Sequence, residues 1–271
     1  MTVDHKRGEW LAGARILPSP NCDDRPEGEE ISLIVIHAIS LPPREYGGPW
    51  IDALFTNTLD SSTHPSFAEL EEVRVSAHFL IRRDGELVQY VALGQRAWHA
   101  GEAYWAGEHD INSHSIGIEL VNPGHEFGYR SFPQEQIDNL ITLCKVIIDR
   151  YGISQKNILG HSDVAPKRKY DPGELFPWKS LSEKGIGIWP KVLDMDIEAG
   201  RDLIIETPDS FHELLCVLGY DPDIEFDSVV MAFHRHFYPE KFITGDYPYI
   251  PDNQSAARLL ALMRAVHICD A

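Results

Sequence analysis

The chain has 271 residues, 43% of them apolar, which suits one large or two modest globular domains. Its 24 basic and 42 acidic residues leave a formal net charge of −18. That balance excludes a broad nucleic-acid or anionic-membrane surface, both of which need clustered Lys and Arg, but an anionic substrate needs only local positive charge.

In chain order, the segment from Met1 to Trp10 lacks the apolar core of an export signal. Nothing further on approaches the ~18 apolar residues of a membrane span. Ile31 to His37 is a near-continuous apolar run, the pattern of a strand buried on both faces. Leu41 to Pro49 is a Pro/Gly-rich loop, followed by short helices over 50–59 and 64–72. Val75–Ile81 and Glu86–Ala92 flank Arg82-Arg83-Asp84-Gly85, and Asp-Gly between apolar runs predicts a hairpin. Ser115–Val121 reads as a strand. Ile137, Leu140, Ile141, Cys144, Ile147, Ile148 and Tyr151 keep helical spacing, with Pro133 in the first turn and Gly152 just past the end. A short strand at 157–160 leads into His161.

These elements make the first part α/β. After Gly185 to Pro190 every pattern is helical: 209–218, 226–237 and 254–267, a small three-helix bundle. Residues 196–271 hold 5 basic and 14 acidic residues, net −9, half the charge of the chain. The reading is of two domains, 1–190 and 191–271. The four cysteines, Cys22, Cys144, Cys216 and Cys269, are scattered. They form no Cys-x-x-Cys zinc knuckle and fit a reducing compartment, with Cys144 and Cys216 expected to be buried thiols.

Chemistry concentrates at few places. His37 closes its apolar run, where side chains of an α/β sheet enter a functional crevice. His161 and Asp171 lie ten residues apart on an irregular Pro/Gly-containing segment that a bound ion would order. Two imidazoles and a carboxylate are the ligand set of an open zinc site, although 13 histidines offer many such triads and a lone histidine such as His37 is more often structural. Glu119 alternates with Ile118 and Leu120, so an apolar strand carries a carboxylate that needs an ion-pair partner or a task as general base. Lys169 is either a surface cation or an ammonium over an oxyanion. Trp98 and His99 offer an aromatic surface and a hydrogen-bonding ring for a sugar or peptide. His78 is expected to be buried, and His234 and His236, at i and i+2 on a helix, face apart and are read as ordinary. There is no Gly-x-Ser-x-Gly, His-Glu-x-x-His or Gly-x-x-x-x-Gly-Lys.

Taken in order, Val35-Ile-His37, Leu41 to Phe55, Arg74 to His78, Leu80 to Gly85, Ala97 to Gly101, Ser115 to Glu119, Gly160 to Pro166, Arg168 to Gly173 and Leu175 to Trp178 resemble the zinc-dependent N-acetylmuramoyl-L-alanine amidases of the AmpD/AmiD type, relatives of the peptidoglycan recognition proteins. The resemblance implies a central mixed β-sheet flanked by helices, followed by a peptidoglycan-binding-like helical domain. One Zn2+ would be bound by His37, His161 and Asp171, with Glu119 and Lys169 catalytic. Tyr46, Arg74, Trp98, His99 and Asn112 are the matching substrate-binding candidates. The bond cut would join the lactyl group of N-acetylmuramic or 1,6-anhydro-N-acetylmuramic acid to L-alanine. Partners would be muropeptides or peptidoglycan fragments, the chain a monomer, and the compartment cytoplasmic, with the periplasm or envelope as the alternative. A non-catalytic muropeptide sensor on the same fold is the competing reading. The chain departs from the family at Asp110, where arginine is common.

Overall fold

The structure, a computed structural model, describes residues 2–4, 9–206, 208–244 and 247–269, so parts of the amino-terminal segment and acidic tail discussed above lie outside the described residues. The chain forms two compact units, one of residues 1–101 and 110–158, the other of residues 102–109 and 159–271. The stretch from 159 to 190 thus belongs to the same unit as the helical tail.

The first unit opens with β1 (Thr2–Asp4) antiparallel to β2 (Trp10–Ala12), then β3 (Arg15–Ile16) and β4 (Cys22–Asp24). There follow β5 (Leu33–Ile39), α1 (Trp50–Phe55), a 3-10 turn over Pro65–Leu70, β6 (Phe79–Ile81), β7 (Leu87–Gln89), β8 (Gln95–Ala97), α2 (Ile111–His114), β9 (Ser115–Val121) and α3 (Gln134–Tyr151); β10 (Ile158–Gly160) starts at the last residue of this unit. The main sheet runs β10-β5-β9-β6-β7-β3. It is mixed: β5, β9 and β6 run parallel, β6 and β7 form the antiparallel hairpin, and β3 lies parallel to β7. β5 occupies an interior position, which is why Leu33 to Ile36 are apolar without alternation.

The hairpin turns at Gly85, whose φ of +89° suits a residue without a side chain. Its strands are shorter than 75–81 and 86–92, because the flanking backbone bonds elsewhere. Ser76 N–H donates to Trp98 O at 3.1 Å and His78 N–H to Gly117 O at 3.1 Å. The Leu41–Val75 region, read as loop and short helices, buries Leu41, Ile51, Leu54, Phe55 and Phe67 with Leu80, Val88, Tyr90 and Val121 of the sheet region. Each such side chain contributes roughly 1.5–3 kcal/mol on burial. Asp52 of α1 accepts hydrogen bonds from Arg82 at 2.8 Å, Arg15 at 2.7 Å and the Tyr90 hydroxyl, which fixes α1 in place. In α3 Ile137, Leu140, Cys144 and Ile147 of the expected stripe are buried, Ile141, Ile148 and Tyr151 are half-buried at its edges, and Gln136 Nε2 donates to Ile81 O at 2.8 Å. Pro133 is the N-cap rather than a first-turn residue, and Gly152 closes the helix at φ +66°.

The second unit carries α4 (His161–Val164), α5 (Trp178–Ser182), α6 (Asp194–Glu206), α7 (Pro208–Leu218), α8 (Phe226–Phe237), α9 (Glu240–Ile243) and α10 (Asn253–Cys269). The three expected helices are α7, α8 and α10. α6 is additional, and its approach explains why no apolar stripe announced it. A Cβ on Gly200 would lie 2.8 Å from the backbone nitrogen of Ala257, so α6 and α10 meet backbone to backbone through small residues. Cys144 is buried, and burial pushes its thiol up to about 12. Cys216 is half-buried rather than buried, because it lies beside Leu215 at the edge of the α7 inner face and next to exposed Val217. Among the described residues no helix is long and apolar enough to cross a membrane.

His78 and His234 are buried neutral. Burial lowers His78 to about 3, with the Arg25 charge adding to it, and lowers His234 to about 4. The unfolded chain takes up these protons as pH falls through 6.5, whereas the folded chain takes them up only near 4 and 3. The stability tied to their neutral forms is therefore complete above pH 6.5 and lost on acidification, by about 1.4 kcal/mol per pH unit for each group. His234→Gln should make the decline between pH 6 and 4.5 shallower by about that amount, as measured by urea unfolding in the presence of chelator.

Candidate active site

The register of β5 on β9 sets His37 directly beside Glu119, and β6 places Leu80 on the other side of Glu119. Laterally paired residues of a sheet share a face, so His37 and Glu119 project from the same side. Period two then assigns Ser115, Gly117 and Glu119 to that face and Ile116, Ile118 and Leu120, each fully buried, to the other. One strand thus contributes a core face and a polar face.

The polar face is occupied by the His99 ring. A Cβ on Gly117 would stand 2.4 Å from His99 Cγ, so only glycine leaves room for the imidazole. Ser115 Oγ donates to Ile111 O at 2.5 Å and so accepts from His99 Nε2, 3.2 Å away. In its neutral form His99 then presents a lone pair on Nδ1, which lies 3.0 Å from His37 Nε2. With that lone pair as acceptor His37 donates from Nε2, the tautomer that bears its lone pair on Nδ1. A hydrogen-bonded second partner of this kind orients a metal-binding histidine and selects its tautomer.

Around this chain the supports are built in. Asn112 Oδ1 accepts from the backbone N–H groups of His99 at 3.1 Å and Ala100 at 2.9 Å. His78 Nδ1 accepts from Gly117 N–H at 3.1 Å, and its Nε2 faces Gln95 O at 3.0 Å, which fixes the Nε2–H tautomer. Arg25 donates to Asn112 O, Ser113 O and Ser115 O at 2.6–2.9 Å, covering the carbonyls at the end of α2. Burial lowers its guanidinium to about 10, still charged at neutral pH. Asp110 caps α2 through Ser113 and pairs with Arg96 at 3.0 Å, a local use for the carboxylate that stands where arginine was expected.

In the second unit His161 begins α4, and its Nδ1 lies 3.2 Å from Asp171 Oδ2. Ser162 N–H donates to Asp171 O at 2.9 Å. A Cβ on Gly160 would lie 2.8 Å from Pro172 Cδ, so the two stretches run in contact. Lys169 is half-buried on the turn between them, its N–H donating to Ala165 O at 3.0 Å. His161 and Asp171 of the second unit and His37 of the first are donors of the kind that can hold a metal ion. Both histidines are buried and the aspartate is half-buried. Three such donors leave a coordination position open, as catalytic sites require.

The remaining candidates have varied surroundings. Tyr46 lies under the guanidinium groups of Arg83 at 4.7 Å and Arg130 at 5.7 Å. Trp98 Nε1 donates to Asp23 at 3.2 Å, and exposed Arg74 donates to the carbonyls of Glu71 and Val73. His99, a substrate-binding candidate, has its ring nitrogens against His37 and Ser115. Sequence reasoning missed Ser115 and Gly117, although their signal lay in the Ser-x-Gly-x-Glu alternation of β9. It also missed Asp163, which is 1% exposed between the ligand candidates.

Residues 27–174 match the family model described as N-acetylmuramoyl-L-alanine amidase, so α5 to α10 lie outside the match. The chain is 52% identical over 169 residues to the 1,6-anhydro-N-acetylmuramyl-L-alanine amidase AmpD of Escherichia coli, covering 62% of this chain and 90% of AmpD. It is similar to a structure of AmiD from Escherichia coli in complex with the substrate anhydro-N-acetylmuramic acid-L-Ala-D-γ-Glu-L-Lys, with TM-score 0.65 and 32% identity over 89% of this chain and 92% of that one. The crystal structure of AMPDH3 from Pseudomonas aeruginosa aligns over 98% of both chains, with TM-score 0.71 and 29% identity.

Two substitutions probe the tautomer chain. Ser115→Ala removes the acceptor for His99 Nε2–H, and Gly117→Ala drives a methyl group into the ring. Both should weaken metal binding by about 10–100-fold. In the wild-type apoprotein, nitrogen-15 NMR of the His37 ring should show the proton on Nε2; a proton on Nδ1 would contradict the assignment.

Proposed function

The chain belongs to the N-acetylmuramoyl-L-alanine amidase family, and from that premise we propose that it hydrolyses the amide between the lactyl group of 1,6-anhydro-N-acetylmuramic acid and L-alanine. The anhydro form is favoured because it stands in the name of the AmpD relative and in the ligand of the AmiD complex. The proposed ligands of a single zinc ion are His37, His161 and Asp171, whose mixed nitrogen and oxygen donors suit that ion. The observation that carries the reading is the in-register pairing of His37 with Glu119, which sets a ligand and a base side by side on one face.

When bound, zinc supplies Lewis acidity that polarises the scissile carbonyl and acidifies water toward pKa ~7. Glu119 takes the proton of the attacking water and delivers it to the leaving amine of L-alanine. Lys169 holds the oxygen that becomes negative as water adds. His99 keeps His37 in the tautomer that leaves Nδ1 unprotonated. Trp98, Tyr46, Arg74 and Asn112 are proposed to frame the muropeptide. The enzyme would act as a monomer on recycled wall fragments in the cytoplasm.

Glu119→Ala should retain stoichiometric zinc while lowering turnover by about 10²–10⁴-fold or more. His37→Ala should lose zinc and activity together. Mass spectrometry of products from anhydromuropeptide and from intact sacculi measures the outcome. Release of free stem peptide from the anhydromuropeptide is expected. Binding without any cleavage would sink the enzymatic reading, and faster cleavage of sacculi would sink the substrate preference.

A further inference from the structure

One buried network has no part in the chemistry above. Asp163, two residues after His161, accepts three hydrogen bonds: from Gly160 N–H at 2.7 Å, from the Tyr220 hydroxyl at 2.8 Å and from His236 Nδ1 at 2.7 Å. Tyr220 is 0% and His236 1% exposed. The His236 ring stacks against Trp178 and Phe237, each at 3.8 Å, so the imidazole is fixed in position as well as direction. Burial first, and the Asp163 charge second, push the Tyr220 hydroxyl well above its ordinary range and keep it a donor.

A carboxylate so deeply buried persists only if its lone pairs are met. Of its three donors, only Gly160 belongs to its own loop. The other two come from the segment after α7 and from α8, beyond residue 174 where the family match ends. The neighbouring His234 shows the contrast. It turns to Pro248 O at 2.6 Å and Ser255 Oγ at 2.8 Å, inside the helical segment itself.

The lock has an evident object. α4 has four residues, too few to hold its own direction. Asp163 grips the Gly160 N–H and so sets the angle at which the chain enters His161. Through the Ser162 to Asp171 hydrogen bond and the Gly160–Pro172 contact, the same setting reaches Asp171.

We propose that Tyr220 and His236 are positioning residues for the metal centre: the helical segment locks Asp163, and Asp163 orients the loop that carries His161 and Asp171. The inference rests on the ligand roles proposed for those two residues. The helices are then part of the catalytic apparatus rather than an appended wall-binding module.

Zinc affinity of the full-length protein, measured by chelator competition well below its melting temperature, tests this. Tyr220→Phe deletes one oxygen and His236→Leu deletes the imidazole donor; both should weaken zinc by about 10–100-fold with an unchanged far-ultraviolet spectrum. His236→Asn, which keeps an N–H donor toward Asp163, should recover most of the affinity lost in His236→Leu. Val230→Ala, a cavity at a buried α8 residue that makes none of this network's hydrogen bonds, should lower the melting temperature and leave zinc affinity unchanged. A folded Tyr220→Phe protein with native affinity overturns the proposal, and so does equal weakening in Val230→Ala. If His236→Leu does not fold, Tyr220→Phe decides alone. Zinc binding that is lost in His161→Ala but intact in Tyr220→Phe overturns the lock only. Zinc binding indifferent to His161→Ala overturns the ligand assignment and the lock with it.

Discussion

The pleat of β9 is the constraint on which the site depends. A strand in the interior of a sheet must serve two faces at once, and Ser115 to Val121 does so by alternation. Ile116, Ile118 and Leu120 satisfy the core, while Ser115, Gly117 and Glu119 share the polar face with His37. A one-residue slip against β5 would exchange the two sets, burying Glu119 in the core and presenting isoleucines to the substrate. The same hydrogen-bond ladder that stabilises the sheet therefore specifies which carboxylate stands beside His37.

Polar groups on that face are positioned by other polar groups. His99 is held by Ser115 and by the Asn112 carboxamide, and α2 by Arg25 spread across its terminal carbonyls. Asp163 plays the corresponding part in the second unit, where a buried carboxylate organises a four-residue helix. In both places the candidate ligand is a histidine whose geometry is decided by a residue that need not touch substrate. Loss of such a support typically costs about 10–100-fold in metal affinity.

The sequence was most legible where a single physical rule dominated. The apolar run of β5, the Asp-Gly hairpin, the stripe of α3 with its Gly152 terminus, and β9 all appear within a few residues of their expected bounds. The short strands β1 to β4 were not seen, because two or three residues carry no readable period. α6 escaped because its close approach to α10 is made by Gly200 against Ala257 and Asn253, a contact that carries no apolar period. At the candidate site, residue types singled out His37, Glu119, His161 and Asp171, whose roles are the proposed ones. The supporting roles of Ser115, Gly117, His99 and Asp163 depend on which atoms meet in space, and spacing along the chain is silent about that. His236 illustrates the limit: the i, i+2 argument rightly denied that it shares a face with His234, and said nothing of what its own face would meet.

Gly117 has a consequence for how such a chain can diverge. Its missing side chain is the space that the His99 ring fills, so positions 99 and 117 form one volume divided between two residues. Drift at 117 toward alanine or serine is blocked while the imidazole stays, and replacement of the imidazole by a small residue would release it. The two positions should therefore change together across a lineage or not at all, as a correlated pair eighteen residues apart in the chain. A homologue that carries a side chain at the second position would have found another way to orient the histidine that closes its β5.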